Sequence, residues 1–358
     1  MSQGFPQFRP HPLVRGGDLQ TVVGCYLPYR KVAYRAVQHR VLLADGDTIV
    51  LHDDLPPTAT AWQPGDSVVM LMHGLGGCHQ SGYMQRCSAK LTALGYRVFR
   101  MDLRGCGAGF TLARHPIHAG RSDDAAAAMA QIMELCPDSP IHMAAFSMGA
   151  NIALKLAGEL GAQAPVNLAS VMAVAPPIEL MDCSRNIQRL RNRMYDRSFL
   201  FGLMRLIARR QRVVPDALTL QLNPIPRRLF DFDNQFTAPL SGFADAHEYY
   251  ARASSGPMLK HIAVPTLIVT AANDPIIPVG SFEKASYAPR TKLVITPCGG
   301  HLGFIGKSGI DPDRRWLDWR LIEWIESNAR ESRRPSRALA ASGAVSTAEP
   351  RLPSVTAS

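Results

Sequence analysis

Apolar residues are distributed in two alternating patterns along most of this chain. Short apolar or β-rich runs predict strands at residues 67–72, 97–102, 141–146, 166–175, 266–270 and 292–296. Segments with apolar positions at helical spacing lie between or after them, at residues 83–94, 123–136, 148–160 and 315–328. Strands that alternate with helices predict an α/β protein whose sheet is mostly parallel and carries helices on both faces.

Two segments depart from this alternation. Residues 31–53 read as two strands joined by a turn at residues 44–47, which predicts a hairpin. Residues 176–261 contain no convincing strand, and a segment of that length needs helices of its own in a compact domain. We therefore predict an N-terminal extension packed on the core (1–30), a core in two parts (31–177 and 261–330), an inserted helical cap (178–260) and a disordered tail (331–358).

Composition narrows the class of protein. The chain has 358 residues, of which 46% are hydrophobic and 19% charged, so it can bury a large core. No apolar run is long enough to cross a membrane and the N-terminus lacks the apolar segment of a signal peptide, so we expect a cytoplasmic enzyme. The seven cysteines are scattered and never form a C-x-x-C pair, so the sequence predicts neither disulfides nor a zinc site.

The positive charge is concentrated in one segment. Residues 183–214 contain nine arginines and one aspartate, a balance of +8, and the tail from residue 331 adds four arginines against two glutamates. These two segments account for the whole net charge of +10, which argues against a nucleic-acid-binding protein. A basic amphipathic cap would instead suit peripheral contact with an anionic membrane or an acidic lipid.

Three polar residues follow three predicted strands and form a candidate catalytic set. Ser147 lies between a strand and a helix in the sequence AFSMG, which matches the nucleophile pattern G-x-S-x-G except that Ala145 replaces the first glycine. Asp274 and His301 each follow a later strand. Each has a structural alternative: a helix-entry serine, an Asp-Pro turn and a histidine in a glycine-rich loop. Their order and their shared position at strand ends favour a nucleophile, an orienting acid and a general base.

Residues around this set are candidates for binding. The glycine-rich sequence HGLGG at residues 73–77 predicts an oxyanion hole made by the backbone N–H groups of Leu75 and Met148, although it also fits a simple tight turn. Candidate substrate-contacting residues are His73, Phe199, Leu203 and Met204. The apolar cap residues equally fit an amphipathic helix that covers the core. No phosphate-binding loop, dinucleotide fingerprint or H-E-x-x-H pattern is present, so we expect no cofactor and no metal.

A longer series of short motifs resembles the YheT-like branch of the α/β-hydrolases, also called the AB hydrolase 4 family. The resemblance covers residues 8–325. The motifs are HP at 11–12, DLQT at 18–21, HGLGG at 73–77, RGCG at 104–107, HAG at 118–120 with Asp124, FSMGAN at 146–151, FDN at 232–234, TAP at 237–239, GF at 242–243, YY at 249–250, NDP at 273–275 and GGHLGF at 299–304.

The resemblance implies an α/β-hydrolase fold and a serine carboxylester hydrolase with the triad Ser147, Asp274 and His301. Members act on short- to medium-chain acyl esters, acylglycerols or phospholipids, and some synthesise esters. An acyltransferase that uses the same triad and a non-catalytic scaffold on the same fold are the alternatives. The chain departs from the pattern at Ala145, Ala150, Asn273 and Arg121.

Overall fold

One eight-stranded sheet forms the centre of the protein, with strand order β1-β2-β4-β3-β5-β6-β7-β8. The structure is a computed structural model that describes residues 5–29, 31, 33–57 and 62–332. The strands are β1 (Val37–Leu42), β2 (Thr48–Asp54), β3 (Val68–Met72), β4 (Arg97–Asp102), β5 (Ile141–Phe146), β6 (Leu168–Val174), β7 (Thr266–Ala271) and β8 (Thr291–Thr296). β1 and β2 form the predicted hairpin, β2 pairs antiparallel with β4, and all other pairs are parallel. The prediction of a mostly parallel sheet is therefore confirmed.

Helices follow the strands as the periodicity predicts. They are α1 (Gly17–Tyr26), α2 (Gly82–Ala93), α3 (Ser122–Leu135), α4 (Met148–Leu160), α5 (Leu180–Ile187), α6 (Arg193–Val213), α7 (Leu229–Phe232), α8 (Ala238–Leu240), α9 (Ala246–Ala253), α10 (Gly280–Lys284) and α11 (Trp316–Ser332). A π-helical turn (Asp233–Thr237) connects α7 to α8. No described helix combines the length and the hydropathy that a membrane span needs.

The middle of the sheet is buried on both faces. Every residue of β3, β5 and β7 is buried, which explains why their sequences are continuous apolar runs without alternation. From β3 the chain crosses to β4 on one side, and it later returns to β5 on the other side. The carboxyl ends of β3 and β5 therefore flank a topological switch point, where open α/β sheets bind their ligands.

The segment predicted as a cap, residues 178–260, contains α5 to α9 and a 3₁₀ helix (Gly256–His261), and it contains no strand. Its last residues pack on the core. Asn151 of α4 donates hydrogen bonds to the carbonyl oxygens of Ala119 and Ala253, and its own side-chain oxygen accepts one from the N–H of Ser255. Only the part before about residue 253 is thus free to cover the sheet edge. The domain boundaries themselves stay a prediction, and the predicted disordered tail lies outside the described residues from residue 333 onward.

A buried ion cluster ties the hairpin to the rest of the core. The guanidinium of Arg104, which is 1% exposed, donates to the carboxylates of Asp45, Asp47 and Asp124. Asp124 belongs to α3, whereas the other two carboxylates lie in the turn between β1 and β2. Since a buried charge is tolerated only when it is paired, this cluster explains the RGCG motif and Asp124 as structural features.

Candidate active site

Ser147 occupies a strained turn between β5 and α4. Its backbone has φ 52° and ψ −121°, a conformation that side-chain-bearing residues adopt only when the surrounding structure enforces it. Gly149 makes the turn possible, because a Cβ there would lie 2.4 Å from the carbonyl oxygen of His73. Ala145 lies in β5 and is fully buried, so the fold accommodates the methyl group at the position of the missing glycine. The turn is thus a nucleophile elbow in its geometry.

The three candidate catalytic side chains meet at the carboxyl edge of the sheet. Nε2 of His301 lies 3.0 Å from Oγ of Ser147, and Nδ1 of His301 lies 2.9 Å from Oδ2 of Asp274. His301 and Asp274 are 8% and 5% exposed, respectively. In the neutral histidine tautomer with the proton on Nδ1, the ring donates to the carboxylate and can accept the serine proton on Nε2.

The carboxylate of Asp274 is held in one orientation. Its Oδ1 accepts hydrogen bonds from the N–H groups of Ile276 and Ile277, at 2.8 and 3.0 Å. Its Oδ2 is left for the imidazole of His301. The Asp-Pro turn that was the structural alternative is therefore present, and it fixes the carboxylate that faces the histidine.

The two backbone N–H groups predicted for an oxyanion hole are close to the serine. Leu75 and Met148 line the same cavity as Ser147, and a Cβ built on Gly74 would lie 2.9 Å from the Cβ of Ser147. Within the described residues, no group accepts a hydrogen bond from the N–H of Leu75. Met148 is the first residue of α4, so its N–H has no partner within the helix. The oxyanion-hole assignment stays a prediction that this arrangement favours.

His73 was predicted to contact substrate, but its side chain is fully buried. It does not line the cavity that contains Ser147 or the adjoining cavity beyond Leu75. Its Nε2 accepts a hydrogen bond from the N–H of Leu103, and its Nδ1 lies 2.8 Å from the carbonyl oxygen of Gly74. The ring instead fixes the turn that carries Leu75, because both nitrogens are used by the backbone.

A small inner cavity of about 110 Å³ lies beside Ser147. Its walls are mostly apolar, and α5 and Leu75 of the turn after β3 contribute to them. Three polar residues of the FDN, TAP and YY motifs also line it: Asp233 accepts hydrogen bonds from Oγ1 of Thr237, at 2.7 Å, and from the hydroxyl of Tyr250, at 2.6 Å. Burial raises the pKa of Asp233 to about 6, against the opposing effect of these two hydrogen bonds.

A larger, more open outer cavity of about 640 Å³ lies on the other side of Leu75, between the HGLGG turn and α6. Phe199 and Leu203 line both cavities, and their contact with substrate stays a prediction. Met204 lines neither and packs near Ile207 and Phe232 in a separate apolar cluster. A helix turns by about 100° per residue, so positions 199 and 203 share a face and position 204 faces elsewhere.

The loop that carries His301 is strained and is supported by the N-terminal segment. Leu302 and Phe304 both have positive φ, at 61° and 45°. From α1, Oγ1 of Thr21 accepts a hydrogen bond from the N–H of His301 at 2.8 Å, and the side-chain amide of Gln20 bonds both the N–H and the carbonyl of Ile305. The DLQT motif itself gives no local signal for this role, because its partners lie some 280 residues later in the chain.

Two groups of histidine and aspartate side chains in the described residues have the spacing of metal ligands. In the first, Asp102 accepts hydrogen bonds from the rings of His52 and His79 and from the N–H groups of His79 and Ala108. These bonds use the atoms that a cation would need as ligands. The group instead links the loop that follows β3 to the loop that follows β4. The second, Asp45, Asp47 and His115, surrounds the guanidinium of Arg104.

The fold and this arrangement define an α/β-hydrolase, and comparisons with known proteins agree. The family model of the alpha/beta hydrolase fold matches residues 67–308. Esterase Pf2001 of Pyrococcus furiosus has a similar structure, with a TM-score of 0.52 over 84% of this chain and 98% of that one at 15% sequence identity, which supports the fold alone.

Proteins with higher sequence identity to this chain identify its branch of the family. The chain is 30% identical over 299 residues to the "Putative esterase YheT" of Escherichia coli, which covers 83% of this chain and 86% of that protein. It is 25% identical over 240 residues to phospholipase ABHD3 of Mus musculus, covering 66% of this chain and 58% of that protein. The chain therefore belongs to the α/β-hydrolase family, in its YheT-like branch, and is an enzyme of the esterase and lipase type.

We predict that Thr21 positions His301, the candidate general base. Thr21→Val keeps the branched shape but leaves the N–H of His301 without an acceptor, so kcat on p-nitrophenyl butyrate should fall about tenfold, the equivalent of about 1.4 kcal/mol, with little change in KM. Thr21→Ser keeps the hydroxyl and should retain most of the activity. Equal losses in the two variants would contradict the role of the hydrogen bond.

The raised pKa of Asp233 predicts a pH-dependent stability. The folded protein keeps the proton on Asp233 up to a pH of about 6, whereas the unfolded chain loses it near 4, so this group stabilises the fold less as pH rises through 6. Relative to wild type, Asp233→Asn should gain about 1 kcal/mol of unfolding free energy between pH 5 and pH 7.5, measured with urea. The exposed Asp138→Asn serves as the control and should show no such trend.

Proposed function

We propose that the protein is a serine carboxylester hydrolase in which Ser147 is the nucleophile, His301 the general base and Asp274 the residue that orients the histidine. One observation carries the proposal: the imidazole of His301 lies within hydrogen-bond distance of both Ser147 and Asp274. A serine hydroxyl is a poor nucleophile at neutral pH and requires a base at this distance. The strained backbone of Ser147 supports the same role.

The proposed cycle transfers the acyl group twice, first to Ser147 and then to water. Nε2 of His301 takes the proton of Ser147 while its Oγ attacks the ester carbonyl carbon, and the resulting oxyanion accepts hydrogen bonds from the N–H groups of Leu75 and Met148. The alcohol leaves with the proton from Nε2, and the acyl group stays on Oγ. A water molecule then gives a proton to Nε2 and attacks the acyl carbon. When the bond between the acyl carbon and Oγ breaks, Nε2 returns that proton to Oγ, which releases the carboxylic acid and restores the serine.

Within the proposed range of short- to medium-chain acyl groups, the size of the inner cavity favours the short end. An apolar cavity of about 150 Å³ can hold a benzene ring, and the inner cavity measures about 110 Å³. We propose that it receives the acyl chain, with Phe199 and Leu203 between it and the outer cavity. Acylglycerol or phospholipid-type esters belong to the same substrate class, and the phospholipase and "Monoacylglycerol lipase" names of two relatives support them.

Transfer of the acyl group to an alcohol is a second candidate. A relative from Saccharomyces cerevisiae, 25% identical over 72% of this chain, is named medium-chain fatty acid ethyl ester synthase/esterase 2. Hydrolysis and synthesis share the acyl-enzyme and differ only in whether water or an alcohol attacks it. The outer cavity offers room for either acceptor.

The location in the cell and any membrane contact are also proposals. The basic segment at residues 183–214 supports a cytoplasmic enzyme that contacts anionic membranes peripherally. No cofactor, metal or nucleic acid enters the proposed reaction.

Removal of each triad group should have a distinct result. Ser147→Ala should abolish labelling by a fluorophosphonate probe, because the probe needs the serine oxygen. His301→Gln and Asp274→Asn should lower kcat on p-nitrophenyl esters by several orders of magnitude while KM changes little. Continued labelling of the Ser147→Ala variant would refute the assignment. A wild-type protein that neither reacts with the probe nor hydrolyses esters from acetyl to decanoyl would favour the scaffold alternative.

The choice between hydrolysis and transfer is measurable in one assay. With p-nitrophenyl butyrate and added ethanol, an esterase should release butyric acid as the main product, whereas an acyltransferase should form mostly ethyl butyrate. Because both routes need the acyl-enzyme, the Ser147→Ala variant should form neither product. The ratio of acid to ester, followed by gas chromatography, decides between them.

A further inference from the structure

The outer cavity lies next to the candidate active site and carries positive charge on its wall. It borders the HGLGG turn at Leu75 and Gly76, and its opposite wall is α6. Three arginines of α6, Arg205, Arg209 and Arg212, line it, and none of its lining residues is acidic. These positions are four and three residues apart, so they lie on one face of the helix.

The three guanidinium groups have no anionic partner within the described residues. In the part of the chain that the structure describes, no carboxylate lies within ion-pair distance of any of them. Arg205 and Arg209 lie over the aromatic rings of Phe201 and Phe110, at 5.3 and 4.3 Å. All three side chains remain exposed, so their hydrogen-bond donors are available to a ligand.

Other arginines near the site are already engaged. Arg210, in the same helix, is buried and donates to the carbonyl oxygens of Phe110 and Ala113. Arg104 is surrounded by carboxylates. The contrast separates arginines that stabilise the fold from the three that line the outer cavity.

We propose that Arg205, Arg209 and Arg212 form a binding subsite for an anionic group on the alcohol part of the ester substrate. The inference rests on the proposed function, since it places the acyl chain in the inner cavity and the alcohol part on the other side of Leu75. Phe199 and Leu203 line both cavities, so the two cavities adjoin, and in this proposal one substrate molecule extends from Ser147 past these side chains into the outer cavity. Arginine forks bind phosphate and carboxylate oxygens in pairs, and a cavity of about 640 Å³ has the size of a typical ligand site.

A matched pair of soluble esters tests this subsite. Butyryl glycerol is neutral and butyryl glycerol 3-phosphate is anionic, and both release butyrate. The wild-type enzyme should have a kcat/KM at least about tenfold higher for the phosphate ester. The triple variant R205Q/R209Q/R212Q should lose this preference through a higher KM and should keep its activity on the neutral ester.

The control removes the same charge from the same segment. Arg189, Arg191 and Arg193 are exposed, lie outside both cavities and form no ion pair among the described residues. The variant R189Q/R191Q/R193Q should therefore keep the preference for the phosphate ester. Equal behaviour of the two triple variants, or no preference in the wild type, would overturn the subsite.

Two further measurements test the anion subsite independently of the proposed hydrolase activity and distinguish it from electrostatic attraction to a membrane surface. Butyryl glycerol 3-phosphate should bind S147A at least about tenfold more tightly than S147A/R205Q/R209Q/R212Q, as measured by calorimetry, whether or not the wild type hydrolyses the ester. In a second arm, diacylglycerol and phosphatidic acid are presented in phosphatidylcholine vesicles. A preference found only on vesicles, and lowered equally by both triple variants, would assign the arginines to surface attraction and overturn the subsite.

Discussion

The hydrogen bond between Nε2 of His301 and Oγ of Ser147 is the contact on which the candidate site depends. It joins residues 154 positions apart, and it can form only because β5 and β8 end at the same edge of one parallel sheet. A parallel sheet brings the carboxyl ends of its strands together regardless of their distance in sequence. The apolar runs that form the strands thus determine where the polar residues after them meet.

Several backbone positions around this contact are strained, and the strain is held from outside the site. Ser147, Leu302 and Phe304 have positive φ, which side-chain-bearing residues adopt only under constraint. The N-terminal segment supplies much of the constraint, since Thr21 and Gln20 of α1 bond the histidine loop and Phe8, which precedes α1, packs against the ring of Phe304. The N-terminal segment therefore acts as part of the site, although it precedes every strand of the sheet.

The cap divides the space above the sheet edge into two cavities of different character. The inner one has mostly apolar walls with the buried Asp233 among them, and the outer one has three arginines. The FDN, TAP and YY motifs converge there, because Asp233 receives hydrogen bonds from Thr237 and Tyr250. A buried carboxyl requires such partners, which gives these motifs a physical reason to occur together.

Local sequence patterns were enough to predict where the candidate catalytic residues lie. Ser147, Asp274 and His301 each follow a run of apolar residues, and local periodicity is enough to find such runs. It could not determine contacts between segments distant in the chain. The supporting role of Thr21, the buried position of His73 and the turn of Met204 away from both cavities were decided only by tertiary packing. Helical periodicity predicts which residues share a face of a helix. Which other segment packs against that face depends on how the whole chain folds.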